Sequence, residues 1–196
     1  MRISCFPLHG LAAATLLGLS SVASAEVFDA SLSQDTVRIA VNGPLSRLFA
    51  VDKGEYSVGG VGGEIDDFSS DNFFSLHGGV MLTGEAAPNL EAGLGARLQY
   101  VDADSADGGS LALGGQLRLK LLQADRLRFN AGAWYGPKAS TFGDFDEFTE
   151  LSASVGYEVL RDAELYVGYR SIEVGIDNGP SVDLEDGAHV GIRLQF

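Results

Sequence analysis

The chain has 196 residues, a formal net charge of −14, one Cys and 26 Gly. That length suits a single domain with an adequate core, and 45% hydrophobic with 20% charged residues argues against disorder. One Cys excludes zinc fingers, iron–sulfur clusters and disulfide frameworks. The acidic balance argues against nucleic acid as a partner, because phosphate binding needs clustered Lys and Arg.

The first segment reads as an address. Arg2 is the only charge before Glu26, residues 11–19 are apolar, and Val22-Ala23-Ser24-Ala25 closes the stretch. A basic start, a short apolar centre and a small-x-small ending mark a secretory signal peptide, so 1–25 are expected to be removed after Ala25. The apolar run falls short of the roughly 18 residues of a membrane helix, as does every later one. Cys5 and His9 lie in this segment, which leaves 26–196 without Cys and with only His77 and His189.

From residue 26 onward the chain alternates with a period of two. A short run at 26–33 and a clearer one at 35–42 come first, then 54–64 and 73–84. From Leu90 the even positions are Leu90, Ala92, Leu94, Ala96, Leu98 and Tyr100, against Glu91, Gly93, Gly95, Arg97 and Gln99. Residues 111–121 set Leu111, Leu113, Leu117 and Leu119 against Ala112, Gly114, Gln116, Arg118 and Lys120. Runs at 127–135, 148–159 and 164–176 follow, and 188–196 ends the series. Side chains of a strand alternate faces, so each run has one apolar and one polar or small face. All but two of the glycines lie beyond residue 25, and so many within helices would be destabilising. The chain is all-β.

Connections at 85–88, 123–125 and 160–162 read as short, whereas 64–72, 102–109, 136–147 and 177–187 read as long acidic loops. Short turns at one end and long loops at the other are features of transmembrane barrels. Phe74, Tyr100, Tyr135 and Phe148 are expected as an aromatic belt at the loop end, with Tyr56, Tyr157 and Phe196 at the turn end. The expected fold is a transmembrane antiparallel up-and-down β-barrel in the bacterial outer membrane. Barrels of this type have even strand numbers. Eight strands would leave 26–53 as an extension; ten is preferred, since strands of about 11 residues leave realistic connections.

The closing run sets Val190, Ile192, Leu194 and Phe196 against His189, Gly191, Arg193 and Gln195. A terminal aromatic after alternating apolar positions resembles the signature read by the barrel-assembly machinery of outer-membrane proteins. Outer-membrane lipid and lipopolysaccharide are the other expected partners, and the barrel is expected to be a monomer without a cofactor.

Charge sorts by position. The four long loops carry fourteen acids, Glu185 among them, against one base, Lys138. The inward face carries Arg38, Arg97, Arg118, Lys120, Arg128, Arg170 and Arg193, with Glu55, Glu91 and Glu158 as expected partners. Two readings of this interior stand: a salt-bridged plug in a narrow barrel, or a small pore biased toward anions by its basic lining. The loops could instead make the protein a surface binder of divalent cations, lipopolysaccharide or a partner. Asp102, Asp104 and Asp107 approach the spacing of a calcium loop, but the third acid is misplaced and no Glu closes it. Catalysis would need a nucleophile with a base, or an activated water. Neither His77 nor His189 adjoins such a motif, and no Gly-x-Ser-x-Gly elbow occurs, so the chain is read as a non-enzyme, with lipid modification as the enzymatic alternative.

The segment from Ala133 to Glu150 (AWYGPKASTFGDFDEFTE) is followed by Val155-Gly156-Tyr157 and Tyr166-Val167-Gly168-Tyr169-Arg170. An aromatic strand entering a Pro/Ser loop, an acidic aromatic stretch and a Gly-Tyr-Arg strand together resemble the YfaZ family of Gram-negative outer-membrane proteins. The resemblance is closest over 126–175 and looser elsewhere. It implies an outer-membrane, porin-like barrel and carries no catalytic residue or substrate with it.

Overall fold

The computed structural model describes residues 26–51, 53–65, 71–103, 106–177, 179 and 181–196; the expected signal peptide lies outside them. Among these residues there are eleven strands: β1 (Val27–Leu32), β2 (Thr36–Pro44), β3 (Glu55–Ile65), β4 (Asp71–Ala87), β5 (Leu90–Ala103), β6 (Ala106–Lys120), β7 (Leu127–Gly136), β8 (Thr141–Gly143), β9 (Phe145–Leu160), β10 (Ala163–Ile176) and β11 (Val182–Gln195). Each pairs antiparallel with its neighbours in the order β5-β4-β3-β2-β1-β11-β10-β9-β7-β6, and β6 returns to β5. Ten strands therefore close a barrel, as the alternation predicts. β8 is a short ribbon that extends one rim by pairing with Gly108–Ser110 of β6.

The closure joins the two ends of the described chain. β1 pairs with both β2 and β11, and the backbones of Glu26 and Phe196 exchange two hydrogen bonds of 3.0 Å. A closed sheet leaves no edge, which is what hydrocarbon demands of a spanning sheet. Local chemistry fixes the corners. Pro88-Asn89 turns β4 into β5 with Asn89 at φ 65°, a conformation that Asn tolerates after a Pro that fixes the preceding φ.

The outer wall is apolar. Leu94 is 75% exposed, Leu82 63%, Leu113 62% and Val190 57%, far more contiguous apolar surface than a soluble monomer shows. Phe74, Tyr100 and Tyr135 are exposed toward one rim, Tyr157 and Phe196 toward the other. Tyr56 packs its ring over Gly43, where a Cβ would meet the ring at 2.6 Å. Phe148 departs from the expected belt. It is 1% exposed and faces inward, sharing the parity of Glu150 and Ser152 rather than that of Leu151 and Val155.

Two of the expected loops are largely strand. Residues 102–103 and 106–109 continue the β5–β6 pairing, with Asp102 opposite Asp107 and Ala103 opposite Ala106. β11 begins at Val182, so Asp183, Glu185 and Asp186 are strand residues. Acid and Gly content suggests loops, but hydrogen bonding continues there because neighbouring strands already offer paired edges. The rim formed by these strand ends is called the acidic end below; the opposite rim, with Pro88-Asn89 and Glu26, is the turn end.

Candidate functional site in the barrel lumen

Inward-facing residues divide the lumen into three levels. At the acidic end Val61, Phe73, Val101, Ala112, Trp134, Phe145, Phe148, Ile172, Val174 and Leu184 form one buried apolar cluster. They come from every strand between β3 and β11 except β8, and they meet across the axis. A shift of register between Gly175 and Ile176 of β10 places Phe145 opposite Ile176, which adds a second aromatic of β9 to the cluster. This level is packed like a protein interior and offers no polar group along its apolar side chains.

Beneath it lies a layer of buried polar groups. Glu150 is its centre: Oε2 accepts from Arg97 Nη2 at 2.5 Å and Oε1 from Arg38 Nη1 at 3.2 Å. The Arg97 guanidinium also stacks 4.7 Å from the ring of Trp134 and 5.5 Å from that of Phe148. It thereby joins the ionic layer to the apolar cluster, in the geometry that favours a cation on a π face. Arg170 donates through Nη1 to both oxygens of Glu185, at 3.2 and 3.3 Å. The sequence suggests an acidic loop for Glu185; its inward parity on β11 carries it into the lumen instead. Gln99 donates to Ser75 Oγ at 2.7 Å. Both histidines belong here: His77 Nε2 is 3.4 Å from Ser57 Oγ, and His189 meets the Tyr166 ring edge-on at 5.8 Å. Gly59 makes room for His77, since a Cβ there would lie 2.7 Å from the imidazole Cε1.

Below this layer the lumen opens into a cavity of about 1070 Å³ at the turn end. Its wall is laced by ion pairs. Arg118 grips Glu55 through two bonds, 2.7 and 2.5 Å, and adds Glu91 at 3.0 Å. Arg128 pairs with Glu158 at 2.7 Å and approaches Glu164 at 3.5 Å. Arg193 links Glu164, 2.7 Å, to Asp29, 2.8 Å, and lies over the Tyr166 ring at 4.0 Å. Tyr166 itself donates to Asp29 at 2.5 Å. Lys120 lines the same cavity, opposite Arg128 in the β6–β7 register.

All seven inward bases expected from the sequence thus line the lumen, and Glu55, Glu91 and Glu158 serve Arg118 and Arg128. The acids Glu150, Glu185, Glu164 and Asp29, which serve the other arginines, escape a reading of the sequence. Parity could find three of them: Glu150 has the parity of Glu158 on β9, Glu164 that of Arg170 on β10, and Glu185 that of Arg193 on β11. The calcium-like trio is not assembled among the described residues. Asp107 takes a hydrogen bond from Tyr100 at 3.3 Å, Asp102 lies on the facing strand, and Asp104 is outside the described set. No group of three or more His, Cys, Asp or Glu among the described residues could hold a metal ion.

Comparison with solved structures finds the same architecture. Outer membrane protease OmpT of Escherichia coli superposes with a TM-score of 0.51 at 11% identity, over 88% of this chain and 93% of that one. The KdgM porin aligns at 0.45 and 10% identity, over 88% and 99% of the two chains. Neisserial surface protein A aligns at 0.38 and 13%, over 88% and 94%. The likeness to OmpT is one of fold alone, a closed antiparallel barrel; the lipid-facing wall described above fits the outer membrane. No curated protein sequence matches. Over residues 8–196 the sequence does match the family described as YfaZ precursor, and the chain belongs to that family.

Proposed function

We propose that this porin-like barrel is held shut at its acidic end and offers a polar vestibule at its turn end. By the usual orientation of such barrels, short turns face the periplasm and the opposite rim faces outward. The observation that carries the reading is the stack of two blocking levels, the apolar cluster around Phe148 and the ion layer around Glu150. An ion crossing the dry level would forfeit its hydration with nothing in return. The vestibule, by contrast, is roomy, and Arg118, Arg128 and Arg193 in its wall are already paired.

The reading is non-catalytic. Its support is that no carboxylate hydrogen-bonds His77 among the described contacts, and that His189 abuts Tyr166 rather than a hydroxyl nucleophile. Lipid and lipopolysaccharide surround the outer wall in this proposal, and the outward strip Val190, Ile192, Leu194 and Phe196 is what the assembly machinery reads.

Planar-bilayer recording tests it. The refolded protein is expected to show no steady conductance, and Trp134→Ala with Phe148→Ala to conduct once the dry level is hollowed. A stable ohmic conductance from the unaltered protein overturns the shut barrel; silence from the hollowed variant, if folded, removes the plug as its cause.

A further inference from the structure

The connection between β2 and β3 is unlike the others at the turn end. β4 passes to β5 through residues 88–89 and β9 to β10 through 161–162, whereas residues 45–54 join β2 to β3. The longer connection is held by its own backbone. Leu45 N donates to Gly54 O at 2.9 Å, Leu48 N and Phe49 N both donate to Leu45 O at 2.9 and 2.8 Å, and Val51 N donates to Phe49 O at 2.8 Å. The Leu45 side chain is buried and packs on Gly54, where a Cβ would lie 2.6 Å from its Cδ1.

A second fastening lies on the outward edge of the rim. Tyr56 shares on β3 the parity of Val58, an exposed residue of the lipid-facing wall, and its hydroxyl donates to Glu26 Oε1 at 2.9 Å. Arg47 donates to the same oxygen, and the backbone of Glu26 pairs with that of Phe196 in the turn-end belt. Between these fastenings and β3 the chain turns Leu48, Phe49 and Val51 to the surface, 59%, 58% and 37% exposed. Exposed apolar residues standing singly are ordinary; large ones gathered on an ordered turn mark a contact surface.

We infer that residues 48–51 are a foot that dips into the headgroup–acyl boundary of the membrane leaflet at the turn end. The foot continues a surface that already faces lipid, because Arg47 ties it through Glu26 to Tyr56 and Phe196. Aromatic and aliphatic side chains are favoured at that boundary, where they bury apolar area without crossing the bilayer. The site lies outside the lumen and is independent of whether the barrel conducts.

Residues 26–196 contain no Cys, so one introduced thiol takes a label at one place. Ala50→Cys carries an environment-sensitive nitrobenzoxadiazole dye within the foot, and Glu85→Cys carries it at the wall of the open vestibule. Each refolded barrel is placed in phosphatidylcholine vesicles containing phospholipid with a nitroxide high on its acyl chain. Quenching at Ala50 is expected to exceed that at Glu85 severalfold and to stay constant as lipid is added at a fixed fraction of nitroxide lipid. Leu48→Ser with Phe49→Ser should remove most of the excess and shift the dye emission to the red. Should that pair of changes prevent folding, Phe49→Ser alone should lower the excess by a smaller step. Quenching at Ala50 no greater than at Glu85, or an excess that the serine variants leave untouched, overturns the foot. Shielding of the Ala50 dye that vanishes as the barrels are diluted in lipid also overturns it, since a second copy would then be what covers the patch.

Discussion

Glu150 and Glu55 each neutralise arginine inside the same barrel, in surroundings that could hardly differ more. The side chains of the Arg97–Glu150 pair are 3% and 5% exposed, those of Arg118–Glu55 36% and 28%. The first pair sits under a ceiling of Phe148, Trp134 and Val101; the second stands in the wall of a wet vestibule. Bond lengths do not separate them, since both pairs reach 2.5 Å. What separates them is what happens when one partner goes. In the vestibule water replaces a lost carboxylate, whereas under the plug nothing does. In the shut barrel proposed above, the apolar level makes the ion layer beneath it obligatory, so that a seal rests on a charge cluster rather than on a uniform salt-bridged filling.

Truncating the two acids sharpens or dissolves that contrast. Glu150→Ala leaves Arg38 and Arg97 without their shared acceptor, and loss of one partner of a buried pair destabilises by about 3–5 kcal/mol. Glu55→Ala leaves Arg118 with Glu91 and water, and exposed pairs contribute about 0–1 kcal/mol. Denaturant unfolding of the two variants in the same micelles measures both. Equal losses would mean that water reaches Glu150 as freely as Glu55, and the dry ceiling would have to be abandoned.

The outer wall supplies a second comparison of the same kind. Leu94 points to lipid and is 75% exposed, while Arg97, three residues along β5, points inward. Leu94→Arg should destabilise by about 2–4 kcal/mol, the range for a cation placed on the lipid face near mid-membrane. Gln116→Arg, an added charge on the vestibule wall of the facing strand β6, should alter stability by less than about 1 kcal/mol because water solvates it. Denaturant unfolding of the two variants in vesicles measures both. Similar values for the two would contradict the assignment of which face meets lipid.

Much of this architecture is legible in the alternation of the sequence. A period of two places Leu94, Leu117 and Ile192 on one face and Arg97, Arg118 and Arg193 on the other, because a strand has only two faces. The ten strands follow from the same signal. Parity is harder to follow where composition speaks against it. Phe148 is apolar and near a rim, so hydrophobicity assigns it to the belt, although its parity is that of Glu150. An inward aromatic is at home only because the acidic end of the lumen is dry, a property of ten strands together that no single run encodes. Glu185 misleads for the converse reason: Asp and Gly around it resemble a loop, yet β10 offers hydrogen bonds that carry β11 through the acids. Which acid meets which arginine depends on stagger between strands distant in sequence, such as Arg38 with Glu150, and pairing of that kind leaves no local trace.

The smallest effect expected lies on the acidic rim, where charges pair in water instead of under a plug. Lys138, in the turn between β7 and β8, donates to Asp146 at 2.6 Å and to Asp177 at 3.0 Å, clasping that turn to the ends of β9 and β10. Those hydrogen bonds, with Asp146 first, raise its pKa above the ordinary 10.5. A raised folded-state pKa means that the clasp contributes fully below about 10.5 and is lost as pH climbs through the higher folded value. The Lys138 side chain is 68% exposed, so salt screens the contribution and its effect is local. Proteolysis within 137–144 reads it. Lys138→Met should be cut modestly faster than the unaltered protein at pH 8, and the two should converge once the pH exceeds the raised pKa. A ratio of rates that stays constant across that range would show the turn to be held by backbone bonds alone, such as those from Ser140 to Pro137 and from Asp144 to Asp107, with the lysine contributing nothing.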